Sequence, residues 1–302
     1  MSDRRWLLLL SLLPDVGRQT LRHLLERQQV WRLTPDEVLH LPAETLQREY
    51  HLPPRAFHAL RENLPALRGE AERLEAYLTR CGVRWLSFQD AAYPHRLEYM
   101  PDPPALLFLY GNYELLNQPT FALLASHTIS AEGLAELEQV AQSFFSNGWV
   151  PMVSATQPAY QRLLLCALRA SHPYILVLDR GLLRAFGEDL RKEPLRQARI
   201  WQAEFDPSRA LAISPFRLRD GWIASNSRYR DALIAYLTDA PVVIEARPDG
   251  YIVQLGRELL QRNGTLSVLA HRLAQLPGNH QLIEAGGKPI ALDQDEASLF
   301  GL

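Results

Sequence analysis

The chain has 302 residues, 32 basic against 34 acidic side chains and a net charge of −2, with 47% hydrophobic and 22% charged residues. That composition excludes a disordered, collagen-like or disulfide-built chain. The near-neutral balance excludes a whole-protein basic field that would announce nucleic acid by itself.

Residues 1 to about 82 read as helical. Arg4-Arg5-Trp6 followed by Leu7 to Leu13 has the outline of a short export signal, but the apolar run is short and no small-x-small site follows, so a core helix is expected. Leu21, Leu24 and Leu25 recur at helical spacing, and Thr34-Pro35-Asp36-Glu37 forms a capping box. Glu70 to Arg80 is a charged helix with Leu67, Ala71, Leu74 and Leu78 on one face. Val83 to Phe88 and Leu106 to Tyr110 are predicted strands, separated by the breakers Tyr93-Pro94 and Met100-Pro101-Asp102-Pro103-Pro104. The stretch 83–118 reads as a connecting segment between two regions of different character.

From residue 120 short apolar runs alternate with helices. Strands are predicted at 121–125, 150–154, 174–178, 211–214, 242–246 and 266–270. Helices are predicted at 131–145, 160–170, 187–199, 230–237 and 254–262. Such alternation specifies an α/β fold with a doubly wound parallel sheet, whose ligands bind beyond the carboxyl ends of the strands. The loops at those ends are Ala125-Ser126-His127, Ser154 to Pro158, Asp179-Arg180-Gly181 and Ala246 to Gly250.

Several groups carry possible chemistry. Leu13-Pro14-Asp15-Val16-Gly17 has the shape of a helix-hairpin-helix turn, although Asp15 stands where a second glycine would be and its carboxylate would repel a phosphate; a packing hairpin reads the same way. Ser126 and His127 at a strand end suit a phosphate or base, or simply a small polar turn. Ser154-Ala155-Thr156-Gln157-Pro158 lacks the glycines of a phosphate cradle. Arg217, Arg219, Arg228 and Arg230 gather around Trp222, Asn226 and Tyr229, a mixture suited to single-stranded nucleic acid or to a solvated helix start. The run Arg191-Lys192 to Arg199 is interleaved with acids and reads as a solvated face. No histidine pairing suggests a metal, and no Walker A, GxGxxG or GxSxG motif appears, so neither cofactor nor catalysis is expected. Cys81 and Cys166 form no framework, which with the lack of any run near the roughly 18–20 apolar residues of a membrane span points to a reduced, cytoplasmic protein without a membrane.

Four stretches together resemble the DNA-processing protein A family (DprA, also called Smf) across nearly the whole chain. Leu13-Pro14-Asp15-Val16-Gly17 is similar to the family's "LPGVG" opening. Tyr93-Pro94-His95-Arg96-Leu97 with Pro101 to Leu106 and Gly111 is similar to its "YP..L……dpP..L…G" stretch, the most specific match. Thr238 to Ala246 resembles "LSDAVVVVEA", and Gly278-Asn279-His280-Gln281-Leu282-Ile283 with Gly286 resembles "G.N.LI..GA". Departures fall where family members bind DNA. The "GSR" loop reads Ala125-Ser126-His127. The "SG.A.GID" loop reads Ser154-Ala155 and lacks the family's Asp. The "RNR" motif reads Arg230-Asp231-Ala232, and the "SGSL" turn reads Asp249-Gly250-Tyr251-Ile252. The C-terminal winged helix of many relatives is not expected within these 302 residues.

The resemblance implies a Rossmann-like domain over 119–302 behind a small N-terminal helical domain, SAM-like or helix-hairpin-helix-like, over 1–82. It implies a homodimer that binds single-stranded DNA and delivers it to the RecA recombinase during transformation. The expected DNA-binding residues are Ser126, His127, Arg217, Arg219, Asn226, Arg228 and Arg230. The competing expectation is a degenerate paralogue that kept the fold as a protein-interaction scaffold. A hydrolase of the lysine-decarboxylase-like group would need a "PGGxGT" loop, which Leu276-Pro277-Gly278-Asn279 does not supply.

Overall fold

Leu106–Gly111 (β2) is apolar at almost every position, and a strand sends alternate side chains to opposite faces. Leu106, Phe108 and Tyr110 enter one core layer, whereas Leu107 and Leu109 enter the other. Thr120–Ala125 (β3) divides the same way, with Phe121 and Leu123 on one face and Ala122 and Leu124 on the other. Strands buried on both faces need layers on both sides, and the computed structural model shows them: a nine-stranded sheet lies between helices. Residues 1–190, 205–262 and 264–292 are described.

The other strands are Val83–Ser87 (β1), Val150–Val153 (β4), Tyr174–Val177 (β5), Ala210–Ser214 (β6), Ala240–Glu245 (β7), Ser267–Leu269 (β8) and Lys288–Ile290 (β9). Their order across the sheet is β1-β2-β6-β5-β4-β3-β7-β8-β9. The strands from β6 through β9 are parallel, while β1 and β2 are antiparallel and extend the sheet beyond β6. Within residues 83–118, expected to connect two regions, the two predicted strands form β1 and β2 of the sheet. The chain leaves β3 toward β4 on one side and returns with β7 on the other, which makes the β3/β7 junction the topological switch point.

Six helices precede the sheet: Asp3–Leu12 (α1), Arg18–Val30 (α2), Pro35–His40 (α3), Ala43–Arg48 (α4), Pro54–Glu62 (α5) and Leu64–Arg80 (α6). The leucine run after Arg5 is α1, and Trp6 through Leu10 are buried in the core. Thr34 and Glu37 make the expected reciprocal cap of α3. Asp15 turns the α1–α2 hairpin at φ 58°, the left-handed conformation a glycine adopts freely. The α/β part adds Ala131–Ser146 (α7), Pro158–Arg169 (α8), Leu182–Phe186 (α9), Ala224–Leu237 (α10), Tyr251–Gln261 (α11) and Pro277–Glu284 (α12).

Three expectations differ. The helix predicted over 187–199 is not helical over 187–190, and its remainder, with the Arg191–Arg199 basic run, lies outside the described residues. Helix α10 begins six residues before the predicted start at Arg230, because Ile223 and the polar run after it adopt cap and helix geometry. Helix α12 and strand β9 carry too few periodic apolar residues to be read from the sequence.

Gly111 closes β2 at φ 116°, and a Cβ there would run into the Ala210 carbonyl oxygen of the neighbouring strand. Gly69 sits inside α6 with nothing within 4 Å of its missing side chain. Gly111→Ala should therefore cost about 1–3 kcal/mol of stability, and Gly69→Ala should gain about 0.5–1 kcal/mol. Denaturant unfolding midpoints check both, and equal effects at the two positions would contradict the packing described.

Candidate nucleic-acid interface

The switch point opens into a cleft of about 770 Å³. Its walls are the strand-end loops Ala125 to Thr128, Thr156-Gln157 and Arg247 to Gly250, with the start of α10 opposite. The β3 and β7 ends are knitted together. The Ser126 amide donates to the Glu245 carbonyl at 2.8 Å, and the Arg247 amide donates to Ser126 Oγ at 2.8 Å. Ser126 thus spends its hydroxyl's acceptor on its own fold. His127 is exposed at the rim. Glu245 accepts the Ser130 amide at 3.0 Å and the Ser130 hydroxyl at 2.5 Å, and so anchors the start of α7.

The floor is a buried ionic network around Arg230, which has no solvent exposure. Its guanidinium meets Asp231 Oδ1 at 2.7 Å and Asp179 Oδ2 at 3.6 Å, and donates to Ser154 Oγ at 3.1 Å and to Thr156 Oγ1. Gln157 Nε2 donates to Asp231 Oδ2 at 3.3 Å, with Gln157 itself at φ 73°. Burial pushes the Asp231 carboxyl up from its ordinary value, opposed by the adjacent Arg230 charge. Burial also holds the Tyr160 phenol, beneath the Arg230 guanidinium at 5.1 Å, far above its ordinary value. The loop that lacks glycine is therefore filled by protein groups.

The seven expected DNA-binding residues are not brought together. Ser126, His127 and Arg228 line the cleft. Arg230 lies beneath it and cannot touch a phosphate while buried. Asn226 is also buried, and its amide donates to the Asp179 carbonyl at 3.0 Å and the Gly221 carbonyl at 3.3 Å, which shapes the turn before α10. Arg217 faces the N-terminal helices: it pairs with Asp220 at 3.0 Å and donates to the Leu13 carbonyl at 3.0 Å. Arg219 makes a two-pronged pair with Glu188, at 3.0 and 3.1 Å, and reaches Glu70 of α6 at 3.6 Å. These two arginines join separate parts of the chain: Arg217 reaches the Leu13 carbonyl beside its local pair with Asp220, and Arg219 is neutralised by Glu188 and Glu70.

Two further arginines stand in the cleft. Arg180 follows β5 and bonds Asp179 Oδ1 at 2.9 Å. Arg247 follows β7 and is exposed. Both sit in strand-end loops, and that position was the signal available for them. Among the described residues Arg228 and Arg247 make no ion pair. Arg228 lies over the Tyr251 ring at 5.5 Å, and Trp222, half exposed, completes an aromatic wall. The cleft thus offers guanidinium groups without carboxylate partners beside aromatic faces, the combination that binds phosphates and stacked bases. Among the described residues no group of three His, Cys, Asp or Glu side chains could hold a metal ion, and no helix is long and apolar enough to cross a membrane.

Comparison with known proteins comes to the same fold. A family model described as DNA recombination-mediator protein A matches residues 84–299. The DNA processing protein DprA of Streptococcus pneumoniae is 25% identical over 230 residues, covering 75% of this chain and 78% of its own. The X-ray structure of DNA processing protein A from that organism aligns with 96% of this chain and 95% of its own at a TM-score of 0.68 and 21% identity. The Helicobacter pylori DNA processing protein A, whose structure addresses its single-stranded DNA binding mode, aligns with 72% of this chain and 94% of its own at a TM-score of 0.56 and 17% identity.

Arg230→Met would leave the buried Asp231 carboxylate without its cation and should cost about 3–5 kcal/mol of stability. Arg228→Ala, at the exposed rim, should stay within about 0.5 kcal/mol. Chemical denaturation of the two variants checks this, and an equally mild effect of both would remove the network from the folding account.

Proposed function

Because the chain belongs to the DNA recombination-mediator protein A family, we propose that it binds single-stranded DNA in the cleft at the β3/β7 switch point. The observation that carries this reading is the presence of two exposed guanidinium groups, Arg228 and Arg247, beside Trp222 and Tyr251. Guanidinium edges pair with phosphates in forked geometry, and aromatic faces accept bases at about 1–3 kcal/mol each. His127 and Arg180 add donors at the rim, and Ser126 holds the two strand ends at the right separation. Arg230 serves as a positioning residue: its buried charge keeps the Thr156–Gln157 loop and the start of α10 in place under the strand.

The set of binding groups differs from the one the family motifs imply. The filled Ser154–Gln157 loop leaves less backbone for phosphate, so the arginines at the rim carry the electrostatic share. Delivery of the bound strand to the RecA recombinase and assembly as a homodimer are the parts of this proposal supported by family membership alone.

The filled loop also favours a second reading, a scaffold that kept the fold and lost the ligand. Binding of a labelled oligothymidylate followed by fluorescence anisotropy at several salt concentrations separates the two. The expected result is affinity at low salt whose logarithm falls with the logarithm of salt at about −0.7 per neutralised phosphate. Arg228→Ala with Arg247→Ala should weaken binding and flatten that slope by about 1.4, because two phosphates then keep their counterions. No binding at low salt, or an unaltered slope in the double variant, favours the scaffold.

A further inference from the structure

A second basic concavity lies far from the switch point. It is a cleft of about 700 Å³ between the end of α6, the exposed edge strand β1 and the turn that follows β2. Arg4, Arg80 and Arg84 are all exposed around it, and none of the residues lining it is acidic. Among the described residues Arg4 and Arg84 make no ion pair.

Both of these guanidinium groups lie over aromatic rings. Arg84 lies 3.9 Å from the Tyr113 ring centroid, and Arg4 lies 4.8 Å from that of Trp85. Those rings are themselves tied down. Trp85 Nε1 donates to the Arg4 carbonyl at 3.1 Å, and the Tyr113 hydroxyl donates to the Gly82 carbonyl. A guanidinium lying over a ring can still turn N–H donors at its edge toward an oxygen acceptor. Ordered in advance, such an edge loses less freedom on binding than a lysine of equal charge.

We propose that this cleft is a second binding site for single-stranded nucleic acid, in which Arg4 and Arg84 receive backbone phosphates. The proposal rests on the reading that this chain handles such strands. The two clefts occupy opposite ends of the parallel strands: the first lies past the carboxyl ends of β3 and β7, and the second lies at Pro207, just before β6 begins. Because the clefts face opposite ends of the sheet, each is filled by a separate segment of a long strand or by a separate strand.

Short oligothymidylate, about six nucleotides long, titrated into the full-length chain at low salt gives the stoichiometry by calorimetry. Two oligonucleotides per chain are expected for the unaltered protein. Arg4→Gln with Arg84→Gln keeps the side-chain stems over the rings and removes the charges; it should leave one site, with the melting temperature unchanged. Arg228→Ala with Arg247→Ala should leave the other. One site per chain that ignores the Arg4/Arg84 variant overturns the second cleft and leaves the first standing. One site that vanishes with the Arg4/Arg84 variant, and ignores the Arg228/Arg247 variant, upholds the second cleft and removes the first. Displacement from the second cleft by polyglutamate as readily as by oligothymidylate of equal charge assigns it to acidic polypeptide and overturns the proposal, as does the absence of any binding.

Discussion

A guanidinium with no exposure to solvent must be neutralised where it lies, and Arg230 draws its neutralising groups from three parts of the chain. Asp179 comes from the loop after β5, Ser154 and Thr156 come from the loop after β4, and Asp231 is its neighbour on α10. Removing charges from water is costly, and the cost is offset only when every partner stays in place. The strand-end loops therefore cannot drift independently. The floor of the cleft is set by this one residue, and the cations that face solvent stand on that floor.

The same physics explains where the other arginines went. Only two of the basic residues are lysines, and the arginine side chains carry out tasks that a point charge performs poorly. Arg219 grips Glu188 with two parallel bonds, and Arg18 of α2 stacks on Tyr229 at 3.6 Å while pairing with Asp102 at 3.0 Å. Arg217 reaches the Leu13 carbonyl at the end of α1. Forked geometry and stacking let one side chain satisfy several partners from distant parts of the chain. Composition bias toward arginine and this use of it are compatible, since a bias supplies the residue and packing finds work for its shape.

Much of the architecture was legible in the sequence. Apolar runs such as Phe121–Ala125 and Val242–Ala246 are buried on both faces, so their composition alone reports a parallel sheet. Strand β9 (Lys288–Ile290) and helix α12 were not legible, because neighbours rather than local pattern hold them: Asn279 of α12 is locked by bonds to the Ala246 amide and the Ile244 and Leu269 carbonyls. The site was legible in location but not in composition. The rule that ligands lie beyond strand carboxyl ends found the loops that form the cleft. It could not tell Arg228 from Arg230, because solvent exposure at neighbouring helical positions depends on which side of the helix meets the sheet.

That last point has a mechanical side. Arg228, Tyr229 and Arg230 are consecutive on α10, so each is turned about 100° from the one before. Arg228 points into the cleft, the Tyr229 hydroxyl donates to the Asp102 carbonyl at 2.9 Å under the Arg18 guanidinium, and Arg230 plugs the strand-end network. Three surroundings thus hold one turn of helix from three directions, like a spindle gripped at three points. Turning the helix to move Arg228 would pull the Tyr229 hydroxyl from the Asp102 carbonyl and Arg230 from its carboxylates. The arginine at the rim of the cleft is thus mounted on a turn of helix that cannot be rotated without breaking contacts on its other two sides.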